Sequence, residues 1–195
     1  MKTHCEATPS MVKEMNPDAI IIAVGASETI PPIKGIDKKL VISATHALEI
    51  EDQLKGNIII LGGGTVGAEI ALEQSLIHKN NVSIIELGDE LATQGNMLYK
   101  IGLRQTMEKC ESLTTYLNTQ CTEVKDNSVI IKNEAGIIKE IPADKVIVCT
   151  GMKSLNILAE SFYGITPNVT MIGDCVKPRK IMEAVFEGHS IALNL

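Results

Sequence analysis

GNIIILGGGTVGAEIALEQ, residues 56–74, decides how the rest of the chain is read. An apolar run, Asn57 to Leu61, enters a cluster of glycines. A helix-like pattern leaves it, with Ala68, Ala71, Leu72 and Leu76 predicted on one face. A turn is expected near Lys79-Asn80-Asn81, and Val82 to Glu86 reads as the next strand. Residues 57 to 86 therefore have the length and order of one strand–helix–strand unit with a parallel sheet. Within it, Gly62-Gly63-Gly64-Thr65-Val66-Gly67 matches G-x-G-x-x-G. The first glycine allows a tight turn. The second leaves room for a pyrophosphate to approach the backbone. The third lets the helix pack closely. Free N–H groups and the helix dipole at such a terminus favour an anion.

A glycine pattern alone is weak evidence. Here a buried strand precedes it, a helix follows it, and an acid ends the next strand. That acid, Glu86, lies about 20 residues past the third glycine, where a carboxylate accepts hydrogen bonds from ribose hydroxyls. Leu87-Gly88-Asp89-Glu90 follows, with no Arg or Lys nearby in sequence. A 2′-phosphate would meet like charge there. At ~4 Å and an effective dielectric of ~20, one such pair costs up to about 4 kcal/mol. Each ~1.4 kcal/mol is tenfold in affinity, so the sequence predicts NADH over NADPH. Glu69, in the first turn of the same helix, either complements the dipole or points toward the nicotinamide end of the cofactor.

Working outward, Ala19 to Val24 is an apolar, isoleucine-rich run, read as a strand buried on both faces. A short helix ending at Met15 precedes it, and Ile30 to Ile36, with two prolines and a glycine, reads as a connector. Ser43 is a candidate N-cap for a short helix through Ala47 and Leu48. Met97 to Cys110 is expected to form another helix. Between Cys121 and Ile141, polar turns separate short β-rich runs, a three-stranded meander. Val146 to Thr150 and Val169 to Ile172 are further strands, ending at Gly151 and Gly173-Asp174. A last helix is expected from Pro178 through Ile191.

Composition narrows the function. The chain has 195 residues, 45% of them hydrophobic, but only 3% aromatic and no Trp, so its core is aliphatic. A net charge of −6 and a pI of about 5.3 argue against nucleic-acid or anionic-membrane partners. No apolar run approaches the ~20 residues needed to cross a bilayer. The polar Met1–Glu6 segment does not read as a secretory signal. Five cysteines, with no C-x-x-C spacing, read as reduced, cytoplasmic thiols, and Cys149 as a small buried residue. The four histidines show no metal-ligand spacing. No catalytic side chain is predicted.

Four motifs occur in order: PDAIIIAVGA (residues 17–26), GGGTVGAE (62–69), VIVCTG (146–151) and IGDCVKPRKIMEAVFEG (172–188). In that order they resemble the two-dinucleotide-binding flavoproteins of the pyridine nucleotide-disulfide oxidoreductase superfamily. The nearest resemblance is to the C-terminal half of the 2,4-dienoyl-CoA reductase and enoate reductase group, NADH:flavin oxidoreductases of the old yellow enzyme type. The resemblance implies an α/β, Rossmann-like fold with a parallel sheet and a meander. It implies an NADH-binding domain at residues 51–150, inserted into a discontinuous FAD-binding domain whose remnants are residues 1–50 and 151–195. It further implies that the chain leaves the flavin domain after Gly25 and returns after Gly151, and that Asp174 accepts hydrogen bonds from the flavin ribityl chain. Lys177, Arg179 and Lys180 then face either phosphate or solvent. The chain has one glycine fingerprint where the family has two. The expectation is therefore a fragment of a larger flavoenzyme, without the first fingerprint and the catalytic barrel. Its expected partners are NADH, the remaining half of that enzyme, and a second copy through exposed apolar edges. Alternatives from the sequence are a stand-alone dinucleotide-binding or redox-sensing module, or a piece of an NADH oxidase or disulfide reductase.

Overall fold

The computed structural model describes residues 1–94 and 96–195. The chain forms two compact units, one from residues 1–28 and 152–195, the other from residues 29–151. In the first unit, α1 (Pro9–Glu14) is capped by the Thr8 side chain, which accepts from the Met11 N–H. It leads to β1 (Ile20–Ile22) and β2 (Ala26–Glu28). The second unit holds β3 (Val41–Ser43), α2 (Ala44–Glu49), β4 (Asn57–Leu61), α3 (Thr65–Leu76), β5 (Asn81–Ile85), α4 (Met97–Glu108) and β6 (Leu113–Tyr116). Then come β7 (Thr119–Val124), β8 (Ser128–Asn133), β9 (Ile138–Pro142) and β10 (Lys145–Val148). The chain returns to the first unit through β11 (Met152–Ser154), α5 (Asn156–Glu160), β12 (Val169–Met171) and α6 (Ile181–Ala192).

The second unit has three layers. Its centre is a parallel sheet in the order β3-β10-β4-β5-β6. Period-two alternation sends successive side chains of β4 to opposite faces. Ile58 and Ile60 join Ala68, Ile70 and Ala71 of α3 and Leu103 and Met107 of α4. Ile59 and Leu61 join Val124, Val129, Ile131 and Ile141 of the antiparallel meander β7-β8-β9. The predicted strand–helix–strand unit, its parallel sheet and the meander are all present. Ser43 caps α2, its hydroxyl accepting from the His46 N–H.

The second unit begins at Thr29, and several of the elements read from the sequence need correction. Residues 29–50 belong with it because β3 pairs with β10 and Ala47 of α2 enters the helical core. The buried face of α3 is Gly67, Ala68, Ile70, Ala71, Gln74 and Ser75, so Leu76 faces solvent and Leu72 is half-buried. The strand read over 19–24 shortens to Ile20–Ile22. With β12 as its one sheet neighbour, Ile21 stays exposed rather than buried. Cys149 lies just past β10 and is half-buried. The last helix starts at Ile181, three residues after Pro178. Lys180 is extended and its N–H donates to Glu183, which fixes the helix start there.

The first unit is thinner. β1 and β12 form a parallel pair, and Ile22, Ala159, Phe162 and Cys175 form its buried cluster. The glycines Gly25 and Gly151, both at positive φ, each turn the chain into one strand of the antiparallel pair β2-β11. Among the described residues no helix is long and apolar enough to cross a membrane. None of the five cysteines is in a disulfide.

The apolar side of α6 is open: Ile181, Met182, Val185 and Phe186 are each at least 65% exposed. Clustered apolar exposure of this kind favours association. The isolated chain is expected to self-associate in sedimentation velocity. Met182→Lys with Phe186→Glu should shift it toward monomer. A single monomeric species for the unaltered chain would contradict this.

Candidate nucleotide-binding site

The glycine turn joins β4 to α3. Gly62 has φ of +102°, and a Cβ there would lie 2.5 Å from the Cys149 carbonyl oxygen. Gly67 is buried, and its Cβ would meet the Gly62 carbonyl oxygen at 2.0 Å. Those two positions exclude side chains for internal reasons. Gly64 differs: it caps α3 in an extended conformation, is exposed, and a Cβ there would have nothing within 4 Å. No side chain caps the helix. The N–H groups of the first turn therefore open onto free space beside Gly64, the environment that favours a phosphate. Thr65 and the half-exposed Val66 line the same turn.

Gly63 is a glycine for a reason the motif does not contain. A Cβ would lie 2.2 Å from the Leu91 side chain and 3.2 Å from the Glu86 Cβ. The segment after β5 folds over the turn. The Ala92 N–H donates to the Gly63 carbonyl at 2.8 Å, and the Thr65 hydroxyl donates to the Gln94 carbonyl at 2.9 Å. α4 holds that segment from behind: Lys100 donates to the Thr93 carbonyl, and Arg104 to the Leu91 carbonyl and to Glu90. Arg104 is thus the basic residue that the local sequence did not show, and its charge is paired with Glu90.

Glu86, directly after β5, is half-buried. Its Oε2 accepts from the Gly63 N–H at 2.6 Å and its Oε1 from the Gly88 N–H at 2.7 Å. A carboxylate has about four acceptor sites, so two bonds leave capacity for a pair of hydroxyls. Glu69, in the first turns of α3, accepts a 2.5 Å hydrogen bond from the Tyr99 hydroxyl of α4. That bond raises the Tyr99 hydroxyl above its ordinary pKa.

The first unit carries a second feature. Ala23, Gly25, Gly173, Asp174, Arg179 and Lys180 are among the residues lining a cleft of about 340 Å³. Gly25 and Gly173, both at positive φ, leave open space where a Cβ would stand. One Asp174 oxygen accepts from the Arg179 N–H at 3.2 Å. Arg179 pairs with Glu187, which also accepts the Gly173 N–H at 2.7 Å. These two partners, the Gly173 N–H first, hold the Glu187 carboxyl below the ordinary glutamate range. Gly-lined space beside an acid and a lysine suits a hydroxylated, phosphate-bearing ligand. Sequence reasoning missed Leu91, Tyr99, Arg104 and Glu187, because each acts across a turn or between elements.

An open helix N-terminus after a parallel strand, with an acid at the end of the next strand, defines a dinucleotide-binding fold. The chain belongs to the pyridine nucleotide-disulphide oxidoreductase family, whose model matches residues 2–188. Members of that family bind FAD and NAD(P)H. The chain is 30% identical to a metal reductase of Desulforamulus reducens, over 97% of its own length and 33% of the relative's. It is also 30% identical to a bilirubin reductase of Mediterraneibacter gnavus, over 95% of its length and 29% of that protein's. A solved 2-naphthoyl-CoA reductase superposes with a TM-score of 0.85 at 30% identity, covering 97% of this chain and 29% of that one. The chain thus spans about a third of the length of these relatives.

Two outcomes follow from the geometry. Gly67→Ala should destabilise the second unit by about 1–3 kcal/mol in chemical denaturation, because the Gly62 carbonyl must move; Gly64→Ala should leave stability nearly unchanged. The Glu187 carboxyl is lower in the folded state, so its contribution is present above the unfolded value of about 4.3 and is lost as pH falls through the folded one. Glu187→Gln should therefore lower stability at neutral pH, with the difference from wild type shrinking in melts below about pH 4.

Proposed function

We propose that this chain is the NADH-binding segment of a flavin-dependent oxidoreductase that passes hydride from NADH to a flavin. The observation that carries the reading is the open space at Gly64, at the uncapped start of α3, with Glu86 one strand away. In this reading the turn from Gly62 through Gly63, Gly64, Thr65, Val66 and Gly67 holds the pyrophosphate through its N–H groups. Glu86 accepts the adenosine ribose hydroxyls while its bonds to Gly63 and Gly88 keep it in place. Glu69, steadied by Tyr99, stands further along the same helix toward the nicotinamide end. Gly25, Gly151 and Asp174 serve the flavin, with Asp174 toward its ribityl hydroxyls.

The cofactors supply the hydride chemistry; these residues bind and orient them. Within the family, the four ordered motifs support the 2,4-dienoyl-CoA and enoate reductase group. The likeness to a 2-naphthoyl-CoA reductase and to a cinnamate reductase of Clostridium sporogenes, 27% identical, supports the same direction. The intact enzyme would carry its acceptor site outside these 195 residues.

NADH selectivity follows from Glu86, whose charge opposes a 2′-phosphate while Arg104 is occupied by Glu90. Calorimetric titration should show NADH bound at least tenfold more tightly than NADPH. Glu86→Gln should weaken NADH and narrow that ratio. Equal heats for the two coenzymes would remove Glu86 as selector. No heat with either would remove the glycine turn as a site in this chain.

A further inference from the structure

At the far end of α3 from the glycine turn, Glu51, Glu73 and His78 each offer a ligand atom, and these atoms lie within 4.8 Å of one another. Glu51 opens the short 3-10 turn Glu51–Gln53 that precedes β4. Glu73 is in the last turn of α3 and His78 two residues beyond its end. The backbones that carry them are fixed. Gln74, 1% exposed, donates to the Glu51 carbonyl, and Asn80 donates to the Leu54 carbonyl and to the Gln74 side chain.

The two glutamate carboxylates are unspent. Neither the Glu51 nor the Glu73 carboxylate makes a hydrogen bond or ion pair with a described residue, which leaves two anions side by side. The His78 side chain is only 9% exposed, yet its ring makes no hydrogen bond to a described residue. The Asp52 carboxylate, the acid facing its Nδ1, stands 3.6 Å away, beyond hydrogen-bond length. The C-terminal end of a helix dipole also favours a cation at this place.

We propose that Glu51, Glu73 and His78 bind one Zn²⁺ ion, with the exposed Asp52 as the fourth ligand. One imidazole nitrogen with carboxylate oxygens is a zinc-compatible donor set, at bond lengths of about 2.0–2.2 Å. A tetrahedral ion at those lengths sets its ligands roughly 3.4 Å apart. The ligand atoms, now within 4.8 Å of one another on half-buried side chains, draw together to that spacing when the ion binds. The ion pins the 3-10 turn before β4 to the end of α3. It bridges the entry and exit of the strand–turn–helix that carries the glycine turn, without touching that turn.

The test is a titration of the 195-residue chain, kept reduced and free of chelator, with Zn²⁺ in a calorimeter and with Co²⁺ in a spectrophotometer. One equivalent should bind. Co²⁺ should give d–d absorption without a thiolate charge-transfer band, and Zn²⁺ should raise the melting temperature. Glu73→Gln and Glu51→Gln, both side chains at the surface rim, should each weaken binding at least tenfold and remove the thermal shift. Binding that both variants retain, a thiolate band that places the ion on cysteine, or no saturable binding would each overturn the site. None of these readouts depends on nucleotide binding.

Discussion

Everything in the second unit hangs on the two-sided burial of β4. Its four apolar residues Ile58, Ile59, Ile60 and Leu61 are each at most 2% exposed, and they alternate between two separate cores. Fully burying such a side chain is worth about 1.5–3 kcal/mol. Only a strand with covered neighbours on both edges and layers on both faces can bury a continuous apolar run. β10 and β5 supply the edges, the helices one face, and the meander the other. A one-residue slip would exchange Ile58 and Ile60 with Ile59 and Leu61 between two differently shaped cores. The register of β4 therefore fixes where the strand ends. Its end fixes the place of Gly62, whose N–H still bonds the Ile85 carbonyl as though the ladder continued.

The glycine cluster then divides its labour in a way that packing decides. Gly62, Gly63 and Gly67 are hemmed in by the Cys149 carbonyl, Leu91 and the Gly62 carbonyl. Gly64 alone of the four meets nothing. The protein thus uses three glycines to bring its own backbone and loop close, and leaves the fourth clear. Glu86 belongs to both purposes. Its bonds to Gly63 and Gly88 tie the end of β5 to the turn and leave acceptor capacity on both oxygens. A side chain held at both oxygens loses little further rotamer freedom on meeting a ligand.

The strand–helix–strand unit and the meander were legible because their signals are local. β4 is a continuous apolar run and β7–β9 are separated by Asp-Asn and Asn-Glu-Ala-Gly turns. What escaped notice is stabilised from a distance. β6 is LTTY, with no apolar run, and is a strand because β5 offers it an edge. β2 and β11 read ASE and MKS, and only the meeting of two distant crossings makes them a ladder. The buried face of α3 includes Gln74 and Ser75, polar residues satisfied by Asn80, Cys110 and Ser112, so an apolar-periodicity reading rotated toward Leu76 instead. Arg104 reaches Leu91 and Glu90 from the next helix, which no spacing within the motif could announce.

The two units also differ in what they need from outside themselves. The second closes two cores with its own elements, covering both faces of its central strands. The first has one small cluster around Ile22, Ala159, Phe162 and Cys175, with two separate two-stranded sheets, β1-β12 and β2-β11. Two-stranded sheets and a small core are marginal on their own. The apolar residues that would enlarge that core, Ile181, Met182, Val185 and Phe186, lie in α6 with water against them. Folding stability should therefore reside mainly in the second unit. The first unit owes much of its order to the polar network of Gly173, Arg179 and Glu187, which fixes the cleft through directed bonds where apolar burial is scarce.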